Sequence, residues 1–185
     1  MSTITVTPEE WKYVAFDSAE IEAVASKLAS ELGLDRDIAI EVDEATPFGK
    51  VQITSIDPVI VLQMEGGALE DPKKPRHLSS RVCADVLGRV LHRVRDRLDP
   101  AFGDPPPDAE LTLQQSTAWD AYAVGRMERL GYPVQRQRRL YHFRNRHGFT
   151  DVADAAFDRL WTGTDLTWAD IQAACDECAA ERAPV

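Results

Sequence analysis

Between residues 38 and 43 the chain alternates with a period of two. Ile38, Ile40 and Val42 fall on one side and Glu41 and Asp43 on the other, the pattern of a half-covered strand. A second strand is expected over 50–55, after the turn Thr46-Pro47-Phe48-Gly49. A third is expected over 59–64, after the break at Asp57-Pro58. The nearly unbroken apolar run of the third suits a strand that is central in its sheet or covered on both faces. Short connections predict antiparallel neighbours.

Elsewhere the period is helical. Thr7-Pro8-Glu9-Glu10 reads as the start of a short helix, with proline at the first helical position. Ser18 is expected to cap a longer helix striped by Ile21, Val24, Ala25, Leu28 and Leu32, and Gly33 to end it. From about His77 to Leu98 the apolar stripe runs through Leu78, Val82, Val86, Val90 and Val94. Arg81, Asp85, Arg89, Arg93 and Arg97 descend another face at intervals of four, where Asp85 can pair with either neighbouring arginine. A further helix spans about 111–130.

Residues 134–147 fit two readings. As a helix, Val134, Gln137, Leu140, Tyr141 and Arg144 share a face; as a strand, Gln135, Gln137, Arg139, Tyr141 and Phe143 do. The helix propensity of arginine and the following Gly148 favour the helix. Thr150 caps the next helix, and Thr167–Asp170 opens the last with a capping-box pattern. The order of elements predicts an α+β fold: an N-terminal helix, a small three-stranded, mainly antiparallel sheet, and a helical C-terminal half packed on it. A single domain over 1–185 is expected, with helix and sheet in 1–75, helices in 76–185 and a Pro-rich loop at 104–108.

Composition narrows the setting. A chain of 185 residues, 44% of them hydrophobic, is long enough for one well-buried domain. No apolar run reaches the length of a membrane span, and the N-terminus lacks the basic and apolar regions of a secretory signal. Three cysteines suit a reducing compartment, so the expected location is cytoplasmic. Arginine outnumbers lysine 16 to 5, the usage of a GC-rich bacterial genome.

The net charge of −10 argues against a general nucleic-acid binder. Its distribution is uneven. Residues 1–72 carry 15 acids and 4 bases, whereas 126–147 carry 7 bases and 1 acid. Such blocks either neutralise one another in the fold or leave a basic face for anions.

The basic block holds the candidate binding residues: Arg136, Arg138, Arg139, Tyr141, His142, Arg144, Arg146 and His147. Guanidinium groups clamp carboxylates or phosphates with paired hydrogen bonds. Interleaved aromatics also suit stacking on nucleic-acid bases. The competing reading is internal: the arginines pair with Asp151, Asp154, Asp158 and the acidic N-terminal half.

Other motifs lead less far. Cys175-Asp-Glu-Cys178 has no second pair to complete a zinc site. It shares a helical stripe with Trp168 and Ile171, so its thiols are expected to pack as small hydrophobes. His142 and His147 lie on one face of neither a helix nor a strand, and His77 and His92 stand alone, so no metal and no cofactor is expected. Glu41 and Asp43 read as the wet face of a sheet. Gly66-Gly67 is flanked by acids and fits no phosphate-binding loop.

The order of elements over the first hundred residues resembles the minimal zincin-type metallopeptidase scaffold. Both have a leading helix, an acid-edged strand, further strands, an Asp-Pro loop and a long helix. In that family the long helix carries HExxH. Here the corresponding stretch is Ala84-Asp85-Val86-Leu87-Gly88, with both histidines absent and Asp85 in place of the glutamate. The resemblance therefore implies a scaffold without zinc and without peptidase activity, and residues 105–185 have no counterpart in it.

The expected function is that of a non-enzymatic interaction or anion-binding protein. Segment 136–147 would meet an acidic protein partner or a small anion, with self-association as one form of this and no membrane partner. The alternatives are a metal-dependent, zincin-like hydrolase with ligands the sequence does not mark, and nucleic-acid binding.

Overall fold

A computed structural model describes residues 3–182. Met1 and Ser2, part of the stretch read above for a signal, lie outside the described residues. The chain divides into two compact units, 1–98 with 107–109, and 99–106 with 110–185.

The first unit runs β1 (Ile4–Thr7), α1 (Ser18–Leu32), β2 (Ile38–Asp43), β3 (Val51–Ser55), β4 (Ile60–Glu65), β5 (Glu70–Asp71), β6 (Lys74–Leu78) and α2 (Ser80–Leu98). The α+β class holds, but the sheet differs from expectation. It has four strands in the order β1-β2-β4-β3, and β5 and β6 form a separate two-stranded sheet. Two of the four-stranded sheet's three pairings, β1–β2 and β2–β4, are parallel; only β3–β4 is antiparallel.

The cause of the difference is long-range. The short helix expected from Thr7-Pro8-Glu9-Glu10 does not form: Ile4–Thr7 is a strand that pairs with Ile38–Glu41, and α1 serves as the crossover a parallel pair requires. The apolar strand β4 takes the place beside β2, with Ile60, Leu62 and Met64 buried, and the half-buried β3 is left at the edge.

Period-two patterning did place the side chains. Ile38, Ile40 and Val42 are buried and Glu41 and Asp43 exposed. The buried side of the sheet forms a core with Ile21, Ala25 and Leu28 of α1 and Val86, Leu87, Val90, Leu91 and Val94 of α2. The cap of α1 is Asp17, whose carboxylate accepts from the Ala19 N–H at 2.9 Å, while Ser18 is the first helical residue. Gly33 ends the helix at φ 66°. Residues 74–78 are strand, so α2 begins at Ser80, with Ser79 Oγ accepting from the Val82 N–H. Asp85 pairs with Arg89 at 3.4 Å. The Gly66-Gly67 pair serves packing: a Cβ on Gly67 would lie 2.0 Å from the Pro47 carbonyl oxygen.

The second unit is helical: α3 (Leu113–Arg129), α4 (Arg136–His147), α5 (Asp151–Thr162) and α6 (Trp168–Arg182). Local chemistry sets the starts. Thr112 and Gln115 form a capping box on α3, Thr150 Oγ1 accepts from the Ala153 N–H, and Thr167 and Asp170 bond each other's backbone N–H groups. Trp119, Phe143, Phe157 and Trp161 fill the core, with Phe102 stacked on Trp119 at 5.3 Å. Cys175 and Cys178 lie in this core as free thiols. Gly125 allows α3 to approach α5, since a Cβ there would meet the Trp161 carbonyl oxygen at 2.0 Å. No helix among the described residues is long and apolar enough to cross a membrane.

Candidate binding surfaces

The ambiguous arginine segment is helix α4. Its buried side is Phe143 and His147, whose rings stack at 4.0 Å, and His147 Nε2 lies 3.0 Å from the Gln114 carbonyl oxygen. This is not the face drawn above through Tyr141 and Arg144; Tyr141 points to solvent.

The eight candidate residues consequently separate. Arg144 forms a two-pronged pair with Asp154, Nε to Oδ1 at 2.8 Å and Nη2 to Oδ2 at 2.5 Å. That hydrogen bond holds the Asp154 carboxyl below the usual carboxylate range and raises the arginine in turn. Arg136 reaches Asp158 at 2.5 Å and lies over the Phe157 ring. His147 is fully buried and Arg139 half-buried. Arg138, Tyr141, His142 and Arg146 are exposed.

The exposed side of α4 has its own order. Arg138, Tyr141, His142 and Asn145 follow at helical spacing, and Asn145 Nδ2 donates to the Tyr141 carbonyl at 2.8 Å. Tyr141 is 58% exposed, and just past the helix end Phe149 is 64% exposed. The two rings meet edge to face at 6.1 Å, and Tyr141 also meets His142. Arg138 has one weak bond, to Gln135 at 3.5 Å, and no ion pair among the described residues. The outcome is an aromatic ridge beside a cation on a helix that buries its other side.

The second surface belongs to the first unit. The non-core face of the four-stranded sheet is polar and open, and a cleft of about 760 Å³ runs over it. The register explains the lining. Thr7, Glu41, Gln63 and Gln52 form one row across β1, β2, β4 and β3, because Thr7 pairs with Glu41, Glu41 with Gln63, and Gln63 with Gln52. Asp43 and Glu65 are paired in the next register level. Glu44 follows β2, and Tyr13, 61% exposed, stands at the wall.

Backbone donors hold these carboxylates in place. Glu44 accepts from the Lys12 and Tyr13 N–H groups at 2.8 and 2.7 Å, Asp43 from Ala45 at 3.1 Å, and Glu65 from Lys50 at 2.9 Å. Glu41 accepts from Gln63 Nε2 at 3.0 Å. None of the four makes an ion pair among the described residues. The cleft was the harder site to foresee. Glu41 and Asp43 were legible as neighbours on a wet face, but the cleft depends on Thr7, Gln52 and Gln63 arriving from other strands.

His77 and His92 belong to the first unit and His142 and His147 to the second. Among the described residues no group of three or more His, Cys, Asp or Glu side chains is arranged to hold a metal ion. Burial pushes the Cys83 thiol up to about 12, with Glu20 adding to it. Burial, then Cys178 and Asp176, pushes Cys175 up to about 12. Compared with known protein families, with curated proteins and with solved structures, the chain shows no match.

Proposed function

We propose that the protein is an interaction module whose α4 surface docks an acidic protein segment. The observation that carries this reading is the exposed Tyr141–Phe149 ring pair with Arg138 beside it. Aromatic residues and arginine are the side chains that concentrate binding energy at protein interfaces. A large exposed aromatic pair costs solvation that a docked partner would recover. Arg144 and Arg136 belong to the frame: their pairs with Asp154 and Asp158 tie α4 to α5 and hold the ridge in position.

A fluorescent hexaglutamate peptide tests the surface. Wild-type protein binds it at low salt, and the affinity falls as salt rises. Arg138→Ala with Tyr141→Ala abolishes binding and leaves the far-ultraviolet circular dichroism unchanged. No binding by wild type at low salt, or equal binding by the variant, ends the proposal.

A further inference from the structure

The first unit carries a surface complementary to α4. Its cleft presents four carboxylates, Glu41, Asp43, Glu44 and Glu65, on an open sheet face. Backbone N–H groups hold Asp43, Glu44 and Glu65 and the Gln63 amide holds Glu41, with no ion pair to any of the four among the described residues. The Tyr13 ring at the wall offers a face to a guanidinium group. At about 760 Å³ the cleft has room for several side chains. Its acceptors are many and its one cationic lining residue is Lys50, so it fits an occupant rich in donors and positive charge.

The chain itself holds such an occupant. Within a protein of net charge −10, α4 and Phe149 present Arg138, Tyr141, His142 and Arg146 to solvent. We infer that the α4 ridge of one copy docks in the acidic sheet cleft of a second copy, giving a head-to-tail association of identical chains. The inference rests on the α4 surface proposed above and names its partner. Arg138 enters the carboxylate cluster, and Tyr141 and Phe149 cover the Tyr13 wall. Because the two surfaces differ, the contact is heterologous: each copy has one ridge and one cleft, and the association grows into a chain or closes into a ring.

Two variants provide the test. The ridge variant, Arg138→Glu with Tyr141→Ala, keeps its cleft. The cleft variant, Glu41→Lys with Gln63→Lys, keeps its ridge and spares the carboxylates that hold backbone N–H groups. Sedimentation velocity at about 0.02 M and about 0.3 M salt reads association across a range of protein concentrations. Wild type is expected to associate with concentration at low salt and to dissociate at high salt, and each variant alone to remain monomeric.

The mixture is decisive. One intact cleft and one intact ridge give a 1:1 dimer that does not grow further, and circular dichroism of each variant verifies folding. A wild type that stays monomeric at low salt overturns the inference, as does association unchanged in either variant or a mixture that fails to pair. Hexaglutamate binding keeps the two ideas apart. If the peptide binds and wild type stays monomeric, self-docking fails while the α4 surface stands. If the peptide does not bind, the α4 surface itself fails.

Discussion

Asp108 should be among the most sensitive surface-loop residues in the protein. It stands in a Pro-rich loop, yet residues 107–109 belong to the first unit. Its Oδ1 accepts from Arg97 Nη2 at 2.7 Å and its Oδ2 from the Ile53 N–H at 2.9 Å. The two side chains are 10% and 5% exposed, so solvent screens the pair weakly. Ile53 lies beside the register shift of β3, where the regular ladder is interrupted. The carboxylate thus completes an irregular edge strand.

Asp108→Ala removes both bonds. Loss of one partner of a buried ion pair costs about 3–5 kcal/mol, and an unsatisfied backbone donor about 1–3 kcal/mol. The two costs overlap because water can enter the vacated space, so a net loss of about 3 kcal/mol is expected. Asp108→Asn keeps one acceptor but no charge and should lose about half as much. Urea denaturation at constant m-value measures the loss, and amide exchange at Ile53 locates it. A change below about 1 kcal/mol, the range of an exposed pair, with Ile53 protection intact would refute the reasoning.

Two further outcomes follow from buried and depressed groups. Cys83 and Cys175, pushed up to about 12, remain protonated at neutral pH, and Cys178 is fully buried. An aromatic disulfide reagent should leave all three thiols unreacted in the native protein and modify all three in denaturant; rapid native labelling would contradict the core placement. Asp154 and Asp170 are both held low, by Arg144 and by the Thr167 backbone N–H respectively. Their folded values lie below the unfolded ones. The stability they contribute is therefore fully present above the ordinary carboxylate value of about 4 and is lost as pH falls through the folded values. Asp154→Asn with Asp170→Asn should flatten the acid side of a stability–pH profile, and an unchanged slope would count against these pairs.

Which parts of the fold were legible follows from the distance over which each cause acts. Capping chemistry is local, so Thr150 and the Thr167–Asp170 pair could be read from neighbouring residues. Burial on β2 was readable because alternation is a property of one strand. Strand order was not. Ile4–Thr7 has too few residues to signal a strand alone and acquires its identity only by pairing with Ile38–Glu41 across α1. Likewise β4 displaces β3 from β2, although β3 is nearer in the chain, because its buried Ile60, Leu62 and Met64 suit a central position. The start of the long helix, expected at about His77, falls later for the same reason: Lys74–Leu78 pairs with Glu70–Asp71.

The arginine segment shows how far the site itself could be read. At about 100° per residue, Arg136, Leu140, Phe143 and His147 gather on one side, and Arg138, Tyr141, His142 and Asn145 on the other. The spacing of Phe143 and His147 marks the buried side, because an aromatic ring four residues from another packs against it. A face drawn through Gln137, Tyr141 and Arg144 misses this, since it takes in the exposed Tyr141 and leaves out Phe143. Once the buried side is placed correctly, the division of charge follows in part. Arg136 and Arg144 border the core, where α5 presents Asp158 and Asp154 one turn apart, while Arg138 faces away. Which acids meet which arginines depends on the packing of α5 against α4, and the charge count of the segment does not contain that information. Internal neutralisation therefore accounts for one side of the block only. On that side Arg136 and Arg144 fix the frame, and on the other Arg138 and Tyr141 face solvent, with Phe149 just past the helix end.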